Sequence, residues 1–448
     1  MTNILIIFNK LITLVCKIFR KNGSVFPASI ILKIKPDILG KIKYPKYVIG
    51  ITGSSGKGST TSLVAHILET NGYKVVWNKS GSNVLNGTAT LILNHCNFIT
   101  RKLKADVLLL EMDESYIKET FKKSTLTHLL VTNITRDQPA RNGNPEVILN
   151  KIINSIDEKT HLILNADDSL VNKLTLKHQG RITTYGINKT AYSITKPYSQ
   201  NLDGAYCPVC YKKLKYRYYH YGHLGDYKCS CGYKRNLDYV GKQVNLNKQT
   251  MIIENKKIHL NNNVFFAAYY TLAAYTLCKE INLNEEQLLN ALNVNIIPSK
   301  RLKTIMFDNR EVVMIESKNE NNLSYLQSLK YINQYPKNKT IILGFENVSR
   351  RYKYNDVSWL YDVDFNILDT KNVDRIFCIG RFRFDVAARL INSGIDPDEL
   401  ILVDDINRIT TLLKENSSGK IFTMVCFDMT EILKNIFLNA EEGDHNEN

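Results

Sequence analysis

Between Tyr44 and Trp77 the apolar and polar positions sort into a strand, a helix and a second strand. Residues 47–51 are a short β-branched run. Leu63, Val64, Ile67 and Leu68 then recur at helical spacing within residues 59–70, Asn71-Gly72 supplies the stop expected after a helix, and residues 74–77 read as the next strand. Residues 106–110, 129–132 and 161–164 are further strand-length runs with helical segments between them. This alternation predicts a mostly parallel sheet covered by helices, an α/β architecture. From about Tyr198 to Tyr239 Tyr, Lys, Cys and Gly dominate, which reads as an inserted module. Helical patterning returns over residues 264–281 and 284–292, and Pro298 marks a boundary. Beyond it, residues 311–315, 340–345, 374–379, 399–403 and 420–427 are β-rich runs separated by amphipathic stretches, which predicts a second α/β domain. The polar end, residues 440–448, is expected to fray.

The first apolar stretch, residues 4–19, is interrupted by Lys10 and Lys17 and closed by Arg20 and Lys21. It is too short and too charged to span a bilayer, and no small-residue cleavage site follows it. An amphipathic helix is expected, either packed on the fold or lying in a membrane interface.

Composition narrows the class. A chain of 448 residues can form several cores, and 44% apolar with 23% charged residues excludes both a disordered segment and a small disulfide scaffold. The net charge of +16 favours an anionic partner: nucleotide, phospholipid, pyrophosphate or nucleic acid. Lys, Asn and Ile abound throughout, so the sign does not choose among them. Four of the nine cysteines fall between Cys207 and Cys231, a clustering that points to a metal ion rather than disulfides.

The segment from Ile51 to Thr60, ITGSSGKGST, lies between the first strand and the first helix. There, successive backbone N–H groups and a helix N-terminus can face phosphate oxygens. Thr52, Gly53, Ser54, Gly56 and Gly58 would form the cradle, Lys57 would neutralise phosphate charge, and Ser59 or Thr60 would ligate Mg²⁺. The hydroxyl comes two residues after the lysine, unlike the general phosphate-loop spacing.

That TG-x-x-GKGST spacing resembles the loop of the Mur ligase and folylpolyglutamate synthase superfamily, ATP-dependent enzymes that activate a carboxylate as an acyl phosphate for attack by an amine. Other positions follow the same order. Glu111, ending the strand before Met112-Asp113-Glu114, looks like the family's Mg²⁺-binding glutamate. Residues 132–138, TNITRDQ, resemble its TN-I-x-x-D-[HQ] segment, with Gln138 where many relatives carry a metal-binding histidine. Asn165-Ala-Asp-Asp168 matches its N-x-D-D turn, and Asn263 stands where an asparagine contacts the nucleotide. The resemblance further implies Arg301 at the nucleotide, and Asn83, Arg136, Gln138 and Arg141 at the acyl substrate.

Cys207-Pro-Val-Cys210 and Cys229-Ser-Cys231-Gly232 resemble two facing zinc knuckles, the second one residue short; His220 or His223 could replace one ligand. A closed four-cysteine Zn²⁺ site leaves no open position, so its expected role is structural. A zinc ribbon within such an ATPase resembles the MurT family, the synthetase subunits of lipid II isoglutaminyl synthase. Asn355-Asp-Val-Ser-Trp359 resembles that family's DVSW segment, whose aspartate, here Asp356, completes a triad with the Cys and His of a GatD-like glutaminase; an Asn-Asp turn or helix cap is the plainer reading of the same residues. Lys318-Asn319 parallels a further family segment.

The resemblance thus implies a Mur ligase-type P-loop ATPase domain over residues 44–297, with a zinc-ribbon insertion at about 200–240. A lead-in (1–43) precedes it, and a Rossmann-like α/β domain (298–440) that contacts the glutaminase and a disordered tail (441–448) follow. The implied reaction is ATP-dependent amidation of the D-glutamate α-carboxylate of the lipid II stem peptide, in the cytoplasm or at the inner face of its membrane, with Lys57 and Asp356 catalytic. Two alternatives stay open: an autonomous amino-acid ligase of the Mur or folylpolyglutamate type, and a zinc-ribbon NTPase that binds nucleic acid.

Overall fold

The computed structural model describes all residues except 22, 80, 122–124, 139–141, 198–201, 295–301, 350–354 and 447–448. The chain forms two compact units. The first comprises residues 1–135, 144–196 and 203–297, and the second residues 136–143, 197–202 and 298–448.

In the first unit β1 (Tyr47–Thr52), β2 (Val75–Trp77), β3 (Val107–Glu111), β4 (His128–Val131), β5 (His161–Asn165) and β6 (Ile182–Ile187) are all parallel. β7 (Lys215–Tyr221) and β8 (Leu224–Lys228) form a separate antiparallel hairpin. β9 (Tyr239–Asn245), β10 (Thr250–Ile253) and β11 (Lys256–His259) extend the main sheet, giving the order β11-β10-β9-β6-β5-β4-β1-β3-β2. β1 and β5 are almost wholly buried. Their near-continuous apolar runs are what a strand covered by helices on both faces requires.

Four helices frame the amino-terminal half: α1 (Thr2–Ile18), α2 (Phe26–Ile34), α3 (Lys57–Thr70) and α4 (Leu85–His95). Leu5 and Ile6 of α1, Ala28 and Ile31 of α2 and Ile92 of α4 enter one core with Val48, Leu108 and Leu129 of the sheet. α3 begins directly at the end of β1, the open-sheet geometry that leaves a helix N-terminus facing the strand ends.

The second unit holds β12 (Leu302–Phe307), β13 (Arg310–Glu316), β14 (Lys339–Gly344), β15 (Val373–Ile379), β16 (Leu400–Leu402) and β17 (Lys420–Val425), in the order β12-β13-β17-β14-β15-β16. All neighbours are parallel except the edge pair β12–β13. Trp359, 3% exposed, packs at 5.2 Å from the Tyr325 ring and 5.4 Å from that of Phe345. The last strand stops at Val425, two residues before the apolar run ends. A helix, Phe427–Asn446, takes over and continues through residues 441–446, where composition predicted a frayed end.

Candidate functional site

The segment after β1 is held open by polar atoms from other strand ends. Ser54 N–H donates to the Asn133 carbonyl at 2.9 Å, and its hydroxyl donates to the Thr135 carbonyl at 3.0 Å while accepting the Thr135 N–H at 2.9 Å. Ser55 N–H donates to Asn133 Oδ1 at 2.9 Å, and its carbonyl accepts from Asn133 Nδ2 at 3.0 Å and the Thr132 hydroxyl at 2.7 Å. Thr52, fully buried, donates its hydroxyl to the Met112 carbonyl at 3.0 Å. The turn between β4 and the next segment is therefore the buttress of the loop.

Two glycines are needed for distinct reasons. A Cβ on Gly53, at φ 128°, would lie 2.3 Å from Thr132 Oγ1 and 2.8 Å from the Asn133 carbonyl, so the close approach itself excludes a side chain. Gly56 meets nothing within 4 Å but sits at φ 81°, the left-handed region that side chains rarely adopt.

Lys57 opens α3, its ammonium on the Gly53 carbonyl and 3.4 Å from Glu114 Oε1. Glu114 is 6% exposed and also accepts the Gly53 N–H at 3.0 Å. Sequence reasoning gave Glu114 no role: its partners lie 61 and 57 residues away, and only the fold brings them together. Gly58 and Ser59 are exposed on the first helical turn. Thr60 is buried and donates its hydroxyl to the Gly56 carbonyl at 2.9 Å, so of the two hydroxyls that of Ser59 is the exposed one.

Glu111, at the end of β3, lies beside that turn: a Cβ on Gly58 would be 3.2 Å from Glu111 Oε2. Its other oxygen accepts from Asn83 Nδ2 at 3.1 Å, and its backbone exchanges hydrogen bonds of 2.9 Å with the Asn78 side chain. A carboxylate beside the first helical turn, on which Ser59 is exposed, offers the oxygen donors that a hard divalent cation such as Mg²⁺ prefers. Asn83 thus serves the carboxylate. Asn263 is half-buried in the turn before the helix Phe266–Glu280. Arg136 and Gln138 fall in the second unit, where Arg136 pairs with Asp362 at 2.9 Å and Gln138, at φ 51°, donates its N–H to the Glu320 carbonyl at 3.0 Å. There Asp137 takes both Lys318 Nζ, at 2.6 and 2.8 Å, and Asn321 Nδ2 at 2.9 Å. Arg141 and Arg301 lie outside the described residues.

The four cysteines converge despite the shortened second pair. All four sulfurs lie within 4.8 Å of one another, with Cys207 to Cys231 at 3.6 Å and Cys210 to Cys229 at 3.4 Å. Zn–S bonds of about 2.3 Å in a tetrahedron require sulfurs about 3.8 Å apart, so the donor set fits that ion. The Cys231 N–H pulls the Cys229 thiol down to about 6, while burial pushes that of Cys207 up to about 12. Neither candidate histidine joins the cluster. His220 hydrogen-bonds the Ile187 carbonyl at 3.0 Å, and His223 lies 3.0 Å from Asp168 Oδ1.

These histidines report how the hairpin β7–β8 is seated. Asp167 and Asp168 are fully buried at the end of β5. Asp167 is the counterion of Arg235 and accepts from Tyr269 at 2.7 Å and from the Ile187 N–H at 2.8 Å. Asp168 accepts the Leu170 and Val171 N–H groups, and with its other oxygen the Ile134 N–H at 2.7 Å. Burial disfavours a charge on His223, but the Asp168 carboxylate outweighs it and holds the imidazole above its ordinary value. In the second unit Asp356 is exposed and accepts the Ser358 N–H at 2.9 Å; the Ser358 hydroxyl and N–H hold its carboxyl below the usual carboxylate range.

Comparison with known proteins agrees with this arrangement. Residues 51–230 match the Mur ligase middle domain, and residues 318–428 match the MurT ligase C-terminal domain. The chain thus carries a Mur ligase middle domain followed by a MurT-type C-terminal domain. The lipid II isoglutaminyl synthase (glutamine-hydrolyzing) subunit MurT of Staphylococcus aureus is 28% identical over 87% of this chain and 87% of its own length. Its counterpart from Streptococcus pneumoniae is 25% identical over 89% and 88%. Among solved structures, a pseudomurein peptide ligase type C from Methanothermus fervidus superposes with a TM-score of 0.69 at 21% identity, covering 90% of this chain and 80% of that one. MurF from Acinetobacter baumannii does so at 0.63, with 13% identity and coverage of 91% and 80%. These two show the Mur ligase fold. The carboxy-terminal match and the MurT subunits aligned over most of the chain make it similar to the MurT type. No described helix is long and apolar enough to cross a membrane.

Proposed function

We propose that the chain is the synthetase subunit of a lipid II isoglutaminyl synthase. It would use ATP to convert the D-glutamate α-carboxylate of the stem peptide to D-isoglutamine with ammonia released from glutamine by a GatD-like partner. The observation that supports this most is the coincidence, in one chain, of the Lys57 loop with matches to both the Mur ligase middle domain and the MurT C-terminal domain.

In the proposed step the backbone N–H groups around Gly56 and the N-terminus of α3 hold phosphate oxygens, and Lys57 adds a positive charge where the transferred phosphoryl gathers negative charge. Glu114 keeps that ammonium aimed along the loop. Ser59 and Glu111 would hold Mg²⁺, with Asn83 fixing the carboxylate; such an ion supplies charge neutralisation to phosphoryl transfer. The stem carboxylate oxygen attacks the γ-phosphorus and ADP leaves. Ammonia then displaces phosphate from the acyl phosphate, giving the amide. Arg136, Gln138 and Arg141 are proposed contacts of the acyl substrate, and Asn263 and Arg301 of the nucleotide. Zn²⁺ on Cys207, Cys210, Cys229 and Cys231 would clip the hairpin without entering the chemistry. Asp356, ionised and exposed, would orient the imidazole of the partner's Cys–His pair. The setting is the cytoplasm, against the inner face of the membrane that carries lipid II.

Purified chain incubated with ATP, glutamine and lipid II should amidate only when a glutaminase partner is present. Asp356→Asn should lose glutamine-driven turnover yet keep turnover driven by ammonium chloride. Amidation from glutamine by the chain alone, or addition of an amino acid instead of ammonia, would overturn the reading.

A further inference from the structure

Helix α1 is apolar on the side turned away from the fold. Leu5, Ile6 and Asn9 face inward, whereas Ile4, Phe8, Leu11, Leu14, Ile18 and Phe19 are exposed by 68, 45, 52, 54, 68 and 69%. At about 100° per residue these six occupy an arc of about 140° opposite the buried positions. A helix packed on a soluble core ordinarily turns polar residues outward. This one is apolar on both faces, and contiguous exposed apolar surface marks an interaction site.

Charge identifies the partner. Residues 1–36 carry six basic residues and no Asp or Glu, the first acid being Asp37. Lys17, Arg20 and Lys21 are exposed beside the apolar arc. Two copies of this face placed together would oppose those charges to themselves, whereas an anionic lipid surface neutralises them. Spanning is excluded by length, since 17 residues rise about 25 Å against a hydrocarbon core of about 30 Å.

We infer that α1 is an in-plane anchor that lays its apolar arc into the headgroup region of an anionic phospholipid bilayer, with Lys17, Arg20 and Lys21 on the lipid phosphates. The inference does not depend on the amidation chemistry, because it is read on vesicles free of stem peptide.

The full chain should float with vesicles of phosphatidylcholine and phosphatidylglycerol at low salt, bind phosphatidylcholine vesicles weakly, and be released as salt rises. Phe8→Gln with Leu11→Gln should weaken binding at least about ten-fold, and Lys17→Glu with Arg20→Glu should do the same on anionic vesicles only. Circular dichroism matching the wild type shows that a variant is folded; if the apolar pair is not, the charge pair, which alters exposed residues alone, decides. Failure of the wild type to float with anionic vesicles, or wild-type flotation by the folded variants, overturns the inference. So does a wild-type dimer in analytical ultracentrifugation that Phe8→Gln with Leu11→Gln converts to monomer, since a second copy would then cover the face.

Discussion

The phosphate loop and the cysteine cluster, both short motifs of the first unit, keep their shape by opposite means. Residues 53–57 own almost none of the contacts that fix them: Asn133, Thr135 and Thr132, some 80 positions along the chain, hold Ser54 and Ser55 from outside. The four cysteine sulfurs instead face one another, while Tyr227 and Tyr233 beside them reach the Ala166 and Ser169 carbonyls. The cluster's own core of Cys207, Leu214, Tyr227, Cys229 and Tyr233 is small, so an ion shared by the four sulfurs would add most to its stability. A motif wired to a sheet should fail gradually as polar atoms are removed, whereas one clipped by an ion should fail at once.

The sharpest break is expected at the loop's charge. Lys57→Ala should lower the ATP-dependent amidation rate by about 10²- to 10³-fold, measured in steady state with ammonium as the nitrogen source so that the partner's hydrolysis does not enter. Next is the clip: Cys231→Ser, or a strong chelator, should release bound zinc and lower the melting temperature by at least about 5 °C, read by metal analysis and calorimetry. Unchanged melting after complete metal loss would mean that the hairpin holds itself. Asn133→Ala removes both bonds to Ser55 and should raise KM for ATP about ten-fold, the scale of about 1–2 kcal/mol for lost buried hydrogen bonds. If kcat fell instead while KM stayed, the loop would not depend on this buttress.

The smallest effect probes the link between the two regions. His223 has its pKa raised by Asp168 in the folded chain, so its contribution to stability is fully present below the unfolded value and is lost as pH rises through the folded one. Thermal stability of the wild type should therefore decline as pH is raised through and above neutrality more steeply than that of His223→Gln. Parallel pH profiles would show that the hairpin is seated without this pair.

Much of this was visible in the sequence, and the exceptions share a cause. β1, β3, β4 and β5 are mostly buried and β-branched or leucine-rich, so their apolar runs expose them, and Asn71-Gly72 and Asn78 bracket the short edge strand β2. β9 and β11 mix Lys with apolar residues, β10 between them is only four residues long, and β12 is half exposed at the edge of its own sheet; none of them carries the long continuous run that betrays a central strand. The loop was legible because its glycines and lysine are consecutive. Its supports were only partly so: the TNIT segment was conspicuous, but that Asn133 and Thr135 clasp Ser54 and Ser55, or that Glu114 steers Lys57, is long-range geometry that no local pattern encodes.

Asp167 and Asp168 give the inserted hairpin a status that its position in the sequence conceals. Neighbouring carboxylates at the end of β5 have been committed to opposite clients, one to Arg235 and Tyr269, the other to His223 and the Ile134 amide. An engineer who excised residues 203–238 and rejoined the ends would strip both buried carboxylates of Arg235 and His223, leaving them only backbone N–H groups and Tyr269. The insertion has become an organ of the domain that hosts it, and shortening the protein there would first require neutralising its foundations.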